Sequence, residues 1–199
     1  MKKTKKLFLL FATAILISCG ANPSGEDSKT DNEAVEEVTI EKVTYEVLPH
    51  ASNVKWSGQL MGVYTHEGNI GFKQGVLEME GDRIVGGNFT IDMTSITPTD
   101  ENYDPEQGNS KEKLIAHLES GDFFLVDEHP TAQFDIDSHD GNKLHGQLTI
   151  RGVTRDAVVE DVKVHHDDRR AEGVLTFNRR DFDVAFTHPI KDMVISNDV

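Results

Sequence analysis

Nine histidines, 35 carboxylates and a single cysteine are the residues of this 199-residue chain with the chemistry to do more than pack. The densest grouping is His165-His166-Asp167-Asp168, whose side chains are of metal-ligating types. Neighbouring strand residues point to opposite faces, and Asp167-Asp168 reads as a turn between two strands, so a solvated turn is the expectation. His66, in His66-Glu67-Gly68, is either a hydrogen-bonded structural histidine or a polar group at the mouth of a barrel. His117 reads as a half-buried packing residue on a helix face. A metal-dependent enzyme would need His66, His145 or His165 to converge with carboxylates in a cleft. The chain has no Gly-x-Ser-x-Gly elbow, no His-Glu-x-x-His, no phosphate-cradling glycine loop and no dinucleotide fingerprint. Abundant carboxylates bring some pair together in any fold and are no sign of glycosidase chemistry. No nucleophile–base pair can be named, so the expectation is a protein with no catalytic residues, no metal and no resident cofactor. Cys19, standing alone, excludes an intrachain disulfide and a Cys-based zinc site.

The charge balance removes further classes. Twenty basic residues face 35 acidic ones, a net charge of −15, and four of the lysines (Lys2, Lys3, Lys5, Lys6) sit in the first six positions. A nucleic-acid binder neutralises phosphates with Lys and Arg, and docking on anionic lipid needs a basic face. Neither fits this chain.

Those lysines belong to an address. Met1–Lys6 is a positive leader and Leu7–Ile17 an apolar run of eleven, shorter than the roughly 20 residues that span a bilayer and the right length for a signal-peptide core. The run ends in Leu16-Ile17-Ser18-Cys19, which resembles a bacterial lipobox. That resemblance implies a signal peptide over 1–18, with Cys19 the lipidated first residue of the mature chain. Two or more acyl chains make a stable anchor. Gly20-Ala21 follow the cysteine with no adjacent Asp, which points to an outer-membrane lipoprotein facing the periplasm or the surface. Residues 19–42 then read as a disordered acidic tether, too poor in apolar surface to fold.

From Val43 to Val199 the dominant period is two, the signature of half-buried strands. Val43, Tyr45 and Val47 alternate with polar residues. Val54 and Trp56 follow, then Ile70 and Phe72 before Gly75, read as a turn. Leu77 and Met79 run to the turn at Gly81-Asp82, and Phe89, Ile91 and Met93 come next. Ala132, Phe134 and Ile136 lead to a hairpin at Asp140-Gly141, followed by Leu144, Leu148 and Ile150, then Val158, Val162 and Val164, Leu175 and Phe177. Phe182, Val184 and Phe186 are read as a final strand. The spacing suggests an antiparallel sandwich or barrel. One segment breaks the pattern: Lys111–Glu119 is predicted as a short helix, capped by Asn109 or Ser110, with Leu114, His117 and Leu118 on one face. The polar loop before it, Thr97–Gly108, is expected to lie over an end of the barrel. Ten Phe and one Trp supply an apolar interior, which by periodicity alone is equally a solid core or a lined cavity.

An ordered set of segments resembles the YceI-like polyisoprenoid-binding family: Val54-Lys55-Trp56-Ser57-Gly58, His66-Glu67-Gly68, Gly86–Met93, Leu114–Leu118 with Asp122-Phe123-Phe124, Pro130–Phe134, Gly146–Thr154 and Asn178–Phe182. The resemblance covers about Tyr45 to Phe186. It implies an all-β, mainly antiparallel, lipocalin-like extended barrel with one short helix, holding a long isoprenoid or quinone-type lipid in an apolar tunnel without chemistry. By analogy Trp56, Phe72, Phe89, Ile91, Phe123, Phe124, Phe134, Leu148 and Phe177 line the tunnel, and His66 and Arg151 are candidates to hold the head group. The partners implied are a hydrophobic lipid and, through the acyl anchor, the membrane. The family runs through a further apolar strand after the segment matching Lys191–Asp198, so a barrel missing its closing C-terminal strand is also expected. The alternative is a structural or stress-related surface lipoprotein with a solid core that acts through a protein partner.

Overall fold

A computed structural model describes residues 40–60, 64–104, 106 and 108–185. The expected signal peptide, Cys19, most of the expected acidic tether, Phe186 and Lys191–Asp198 lie outside the described residues. Eight antiparallel strands form one curled sheet, a half-barrel: β1 (Lys42–Glu46), β2 (Asn53–Leu60), β3 (Tyr64–Glu80), β4 (Arg83–Pro98), β5 (Thr131–Asp140), β6 (Lys143–Ile150), β7 (Val153–His165) and β8 (Arg170–Leu175). Their order is β1-β3-β4-β5-β6-β7-β8, and β2 shares β3 with β1: β2 pairs with residues 64–71 of β3 and β1 with residues 76–80.

The alternation that marks these strands in the sequence is the alternation of burial. In β5, Ala132, Phe134 and Ile136 are buried while Gln133, Asp135 and Asp137 are exposed. In β6, Leu144, Gly146, Leu148 and Ile150 are buried. Tight hairpins fix the register between neighbours. Arg151 (φ 52°) and Gly152 (φ 74°) both take the left-handed conformation that a two-residue type I′ turn requires. They set Ile150 opposite Val153.

Gly75 departs from its reading as a turn. It is buried inside the 17-residue β3. A Cβ there would come within 2.7 Å of the Phe89 ring and 2.9 Å of Val47. The glycine is there for the close approach of its neighbours, and β3 runs straight through. Register shifts at Asn69/Gly71, Phe72/Gln74 and Glu78/Met79 then bend the long β3–β4 pair, as bulges do.

The helix α1 spans Lys111–Glu119, and Ser110 Oγ accepts from the Lys113 amide as its N-cap. Leu118, Phe123 and Val126, from the helix and the turns after it, join the strand core. The expected strand through Phe182 and Val184 is a correction. Arg179–Phe182 form a 3-10 turn, with Asn178 accepting from the Arg180 amide and Asp183 left-handed at its end. These local hydrogen bonds outcompete a ladder, and they still bury Phe182 (2% exposed) and Val184 (0%) in the core.

Candidate functional site

Strand register sets Phe89, Phe134 and Leu148 in one continuous row. Gly75 faces Phe89, Phe89 faces Phe134, Phe134 faces Leu148, and Leu148 faces Arg155, across five neighbouring strands. Beside it Phe72 faces Ile91 and Ile91 faces Ala132. The Phe72 and Phe89 rings meet edge to face at 5.9 Å. Farther along β3, Trp56 is set opposite Gly68.

Glycines make room for the rings. The Trp56 indole lies where a Gly68 side chain would be, with Cε2 at 2.5 Å from that position, and the tip of Phe134 comes within 2.8 Å of the same position on Gly146. Aromatic rings laid over strand glycines hold a curved sheet in shape.

Of the nine candidates for the lining, Phe123, Phe134 and Leu148 are buried in the core, and Trp56, Phe89, Ile91, Phe124 and Phe177 are partly buried against it. Phe72 is half-buried and reaches the row through Phe89. Phe123 packs on Phe124 and on His117. An open cleft of about 350 Å³ adjoins Phe177, Phe182, Ala157 and Arg155, within the range of small-molecule sites. A second depression of about 460 Å³ lies over the outward side chains His145, Gln147 and Val158.

His66 is on the same face as Trp56, opposite Gly58 and one same-face step from Gly68. Its Nδ1 is 3.1 Å from the Asp100 carboxylate, and its ring stacks on Tyr103 with centroids 5.4 Å apart. Asp100 is the hub. Besides His66, it accepts from the Glu67 amide at 3.0 Å, the Asn102 amide at 3.0 Å and the Tyr103 hydroxyl at 3.3 Å. Burial works against its charge, but the two amides and the His66 ring outweigh that and hold the carboxyl below the usual carboxylate range. Burial, together with the adjacent Asp100 charge, pushes the Tyr103 phenol up to about 12. An ionised Asp100 requires Nδ1 of His66 to carry the proton. Nε2 has no partner among the described residues.

Asp100 and Tyr103 were invisible as site residues in the sequence. They sit in a polar loop, and the partners they meet on β3, His66 and Glu67, are more than thirty positions away. The only local sign is an Asp followed two residues later by an Asn amide that it can accept from.

A depressed carboxyl contributes stability above its unfolded pKa of about 3.9, and that contribution is lost as pH falls through the lower folded value. The NMR shifts of the Glu67 and Asn102 amides should therefore share an acid transition below about pH 4. Asp100→Asn should abolish the shared acid transition. A common midpoint at or above the ordinary aspartate value would contradict this account of the loop.

Arg151, the second head-group candidate, is committed to the backbone. Its guanidinium donates to Phe123 O at 2.7 Å and Asp183 O at 2.8 Å, tying the segment after α1 to the segment after the 3-10 turn. The histidine pair of the β7–β8 hairpin diverges: His165 meets Glu172 and His166 meets Asp82, each at 3.3 Å. No group of three metal-ligating side chains converges among the described residues.

A curled antiparallel sheet with one short helix and Phe89 and Phe134 on its face defines a lipocalin-like half-barrel. The model of the YceI-like domain matches residues 45–199, and the chain belongs to that family. Two UPF0312 proteins of Staphylococcus aureus, from strains N315 and bovine RF122, are 33% and 32% identical over 97 and 84 residues. Those matches cover 44% and 38% of this chain and 56% and 48% of the relatives, so the chain spans about half their length. The crystal structure of BcnA from Burkholderia cenocepacia shares the fold, with a TM-score of 0.56 at 23% identity over 76% of this chain and 93% of that one.

Proposed function

We propose that the aromatic face of the half-barrel holds a long isoprenoid or quinone-type lipid without chemical change, and that the protein does so at the bacterial envelope, anchored through acylated Cys19. The observation that carries this reading is the row from Gly75 through Phe89 and Phe134 to Leu148, an apolar floor across four strands, bordered at Trp56 by the polar His66–Asp100 cluster. Membership of a family whose known ligands are isoprenoid chains supports the same reading. So do the lipobox-like Leu16-Ile17-Ser18-Cys19 and the basic, apolar leader before it.

Energetics favour a chain-like ligand. Each buried methylene contributes about 0.8 kcal/mol, so some 20 carbons supply on the order of 16 kcal/mol before ordering costs are subtracted. A few polar groups then suffice to orient the other end.

The full-length chain, purified from bacterial membranes and extracted with organic solvent, should release one lipid per protein with isoprenoid fragmentation in mass spectrometry. The acyl chains on Cys19 are covalent and stay with the protein, so the two lipids are read separately. A well-folded protein that yields no extractable lipid, and takes up none when offered it, would overturn the reading. It would favour the solid-core alternative.

A further inference from the structure

The apolar floor ends on a charge. Leu148, the last apolar member of the row, faces Arg155, and beside it Gly146 faces Ala157. Residues opposite each other in an antiparallel pair share a side of the sheet. Arg155 therefore stands on the side where β5 and β6 bury only Ala, Phe, Ile, Leu and Gly. Among the described residues β8 pairs with β7 only from Val159 onward. The cleft of about 350 Å³ lies beside the stretch of β7 so exposed, between Arg155 and Ala157 on one wall and residues 176–182 on the other. Phe177 and Phe182, edge to face at 5.4 Å, give that second wall an apolar surface.

A guanidinium is charged at every working pH. Arg155 Nη1 donates to the Thr154 carbonyl at 2.8 Å, and among the described residues that is its one hydrogen bond, with no ion pair. The Nε–Nη2 edge of the fork is left over. The carboxylates of β7 that border the cleft are engaged elsewhere: Glu160 pairs with Lys143 and Asp156 accepts from Gln147. Asp181, on the second wall, has a carboxylate with no partner among the described residues and forms no ion pair with Arg155.

We infer that this cleft holds the carboxylate end of an apolar lipid, with Arg155 as the residue that binds it. This rests on the lipid-binding reading above and goes beyond it by naming the chemistry of the ligand's polar end. The flat guanidinium fork matches a carboxylate side-on, and the chain behind the carboxylate continues past Ala157 onto Leu148 and Phe134. An alcohol or ester offers only a neutral acceptor, and hydrogen bonds between charged partners are about twice as strong. A phosphate, with nearly two negative charges, meets Asp156, Glu160 and Asp181 around a single arginine.

The full chain is titrated calorimetrically at pH 7.5 with farnesoic acid, its methyl ester and farnesyl phosphate. The acid is expected to bind at least about tenfold more tightly than either of the others. Arg155 is exposed and bonds only to its neighbour's carbonyl, so Arg155→Gln should melt like the parent. In that variant the acid's advantage over the ester should vanish while the ester's own affinity is unchanged. Asp181→Asn removes a like charge from the cleft and should tighten the acid about threefold without moving the ester. It carries the test alone if Arg155→Gln melts early.

Equal affinities for acid and ester, a tighter phosphate, an acid preference that survives Arg155→Gln, or an acid affinity unmoved by Asp181→Asn would each overturn the carboxylate site and leave lipid binding standing. Failure of all three lipids to bind would overturn both.

Discussion

Replacing Phe134 with alanine should cost the domain about 3–5 kcal/mol in urea denaturation, the range for deleting a fully packed phenylalanine. Against a typical total of about 5–15 kcal/mol, that leaves the variant folded with little to spare. The side chain is 7% exposed. It lies between Phe89 and Leu148 in register, and its tip covers Gly146. The glycine supplies the control. A Cβ at Gly146 would overlap the Asp135 carbonyl oxygen as well as pressing on Phe134 Cζ at 2.8 Å, so Gly146→Ala should itself cost about 1–3 kcal/mol or more through overpacking. In the double variant the ring is gone but the carbonyl stays, so the loss should fall short of the sum by about 1 kcal/mol. Strict additivity would show that the ring and the glycine do not share a site, and the account of the aromatic floor would fail with it.

That floor was largely legible in the sequence, for a physical reason. β5 and β6 bury one face, so Ala132, Phe134 and Ile136 stand out against Gln133 and Asp135, and period-two alternation translates directly into sidedness. The helix was legible because Ser110 caps it and Leu114 and Leu118 recur at helical spacing. Gly75 was not, because a glycine that ends a strand and one that makes room for a neighbour's ring look alike without the partner strand. The strand expected at Phe182 and Val184 failed similarly. Two apolar residues spaced by two are compatible with a ladder, but Asn178 and Asp183 close a 3-10 turn instead. His66 could be singled out by its neighbours Glu67 and Gly68. Asp100 and Tyr103 could not, since what makes them special is a contact spanning 34 positions in one case and a stacked ring in the other.

Arg151 shows the difference between a residue's local and long-range value, and its replacement by asparagine should cost about 2 kcal/mol although it improves the turn. Position 151 opens a type I′ hairpin at φ 52°, where Asn before Gly is a favoured choice and arginine is not. A residue kept for the turn alone would therefore gain from Arg151→Asn. The guanidinium, however, makes charge-assisted hydrogen bonds to Phe123 O and Asp183 O, each of a class worth about 1.5–3 kcal/mol, and asparagine is too short to replace them. The loss should be regional. Amide exchange at Val184, whose side chain is 0% exposed and whose N–H donates to Arg179 O at 3.2 Å, should accelerate, while Phe134 and Leu148 in the sheet keep their protection. If Arg151→Asn instead matches or exceeds the parent in stability, the two carbonyls do not need the guanidinium. Arg151 would then be free to meet a ligand at the end of the half-barrel.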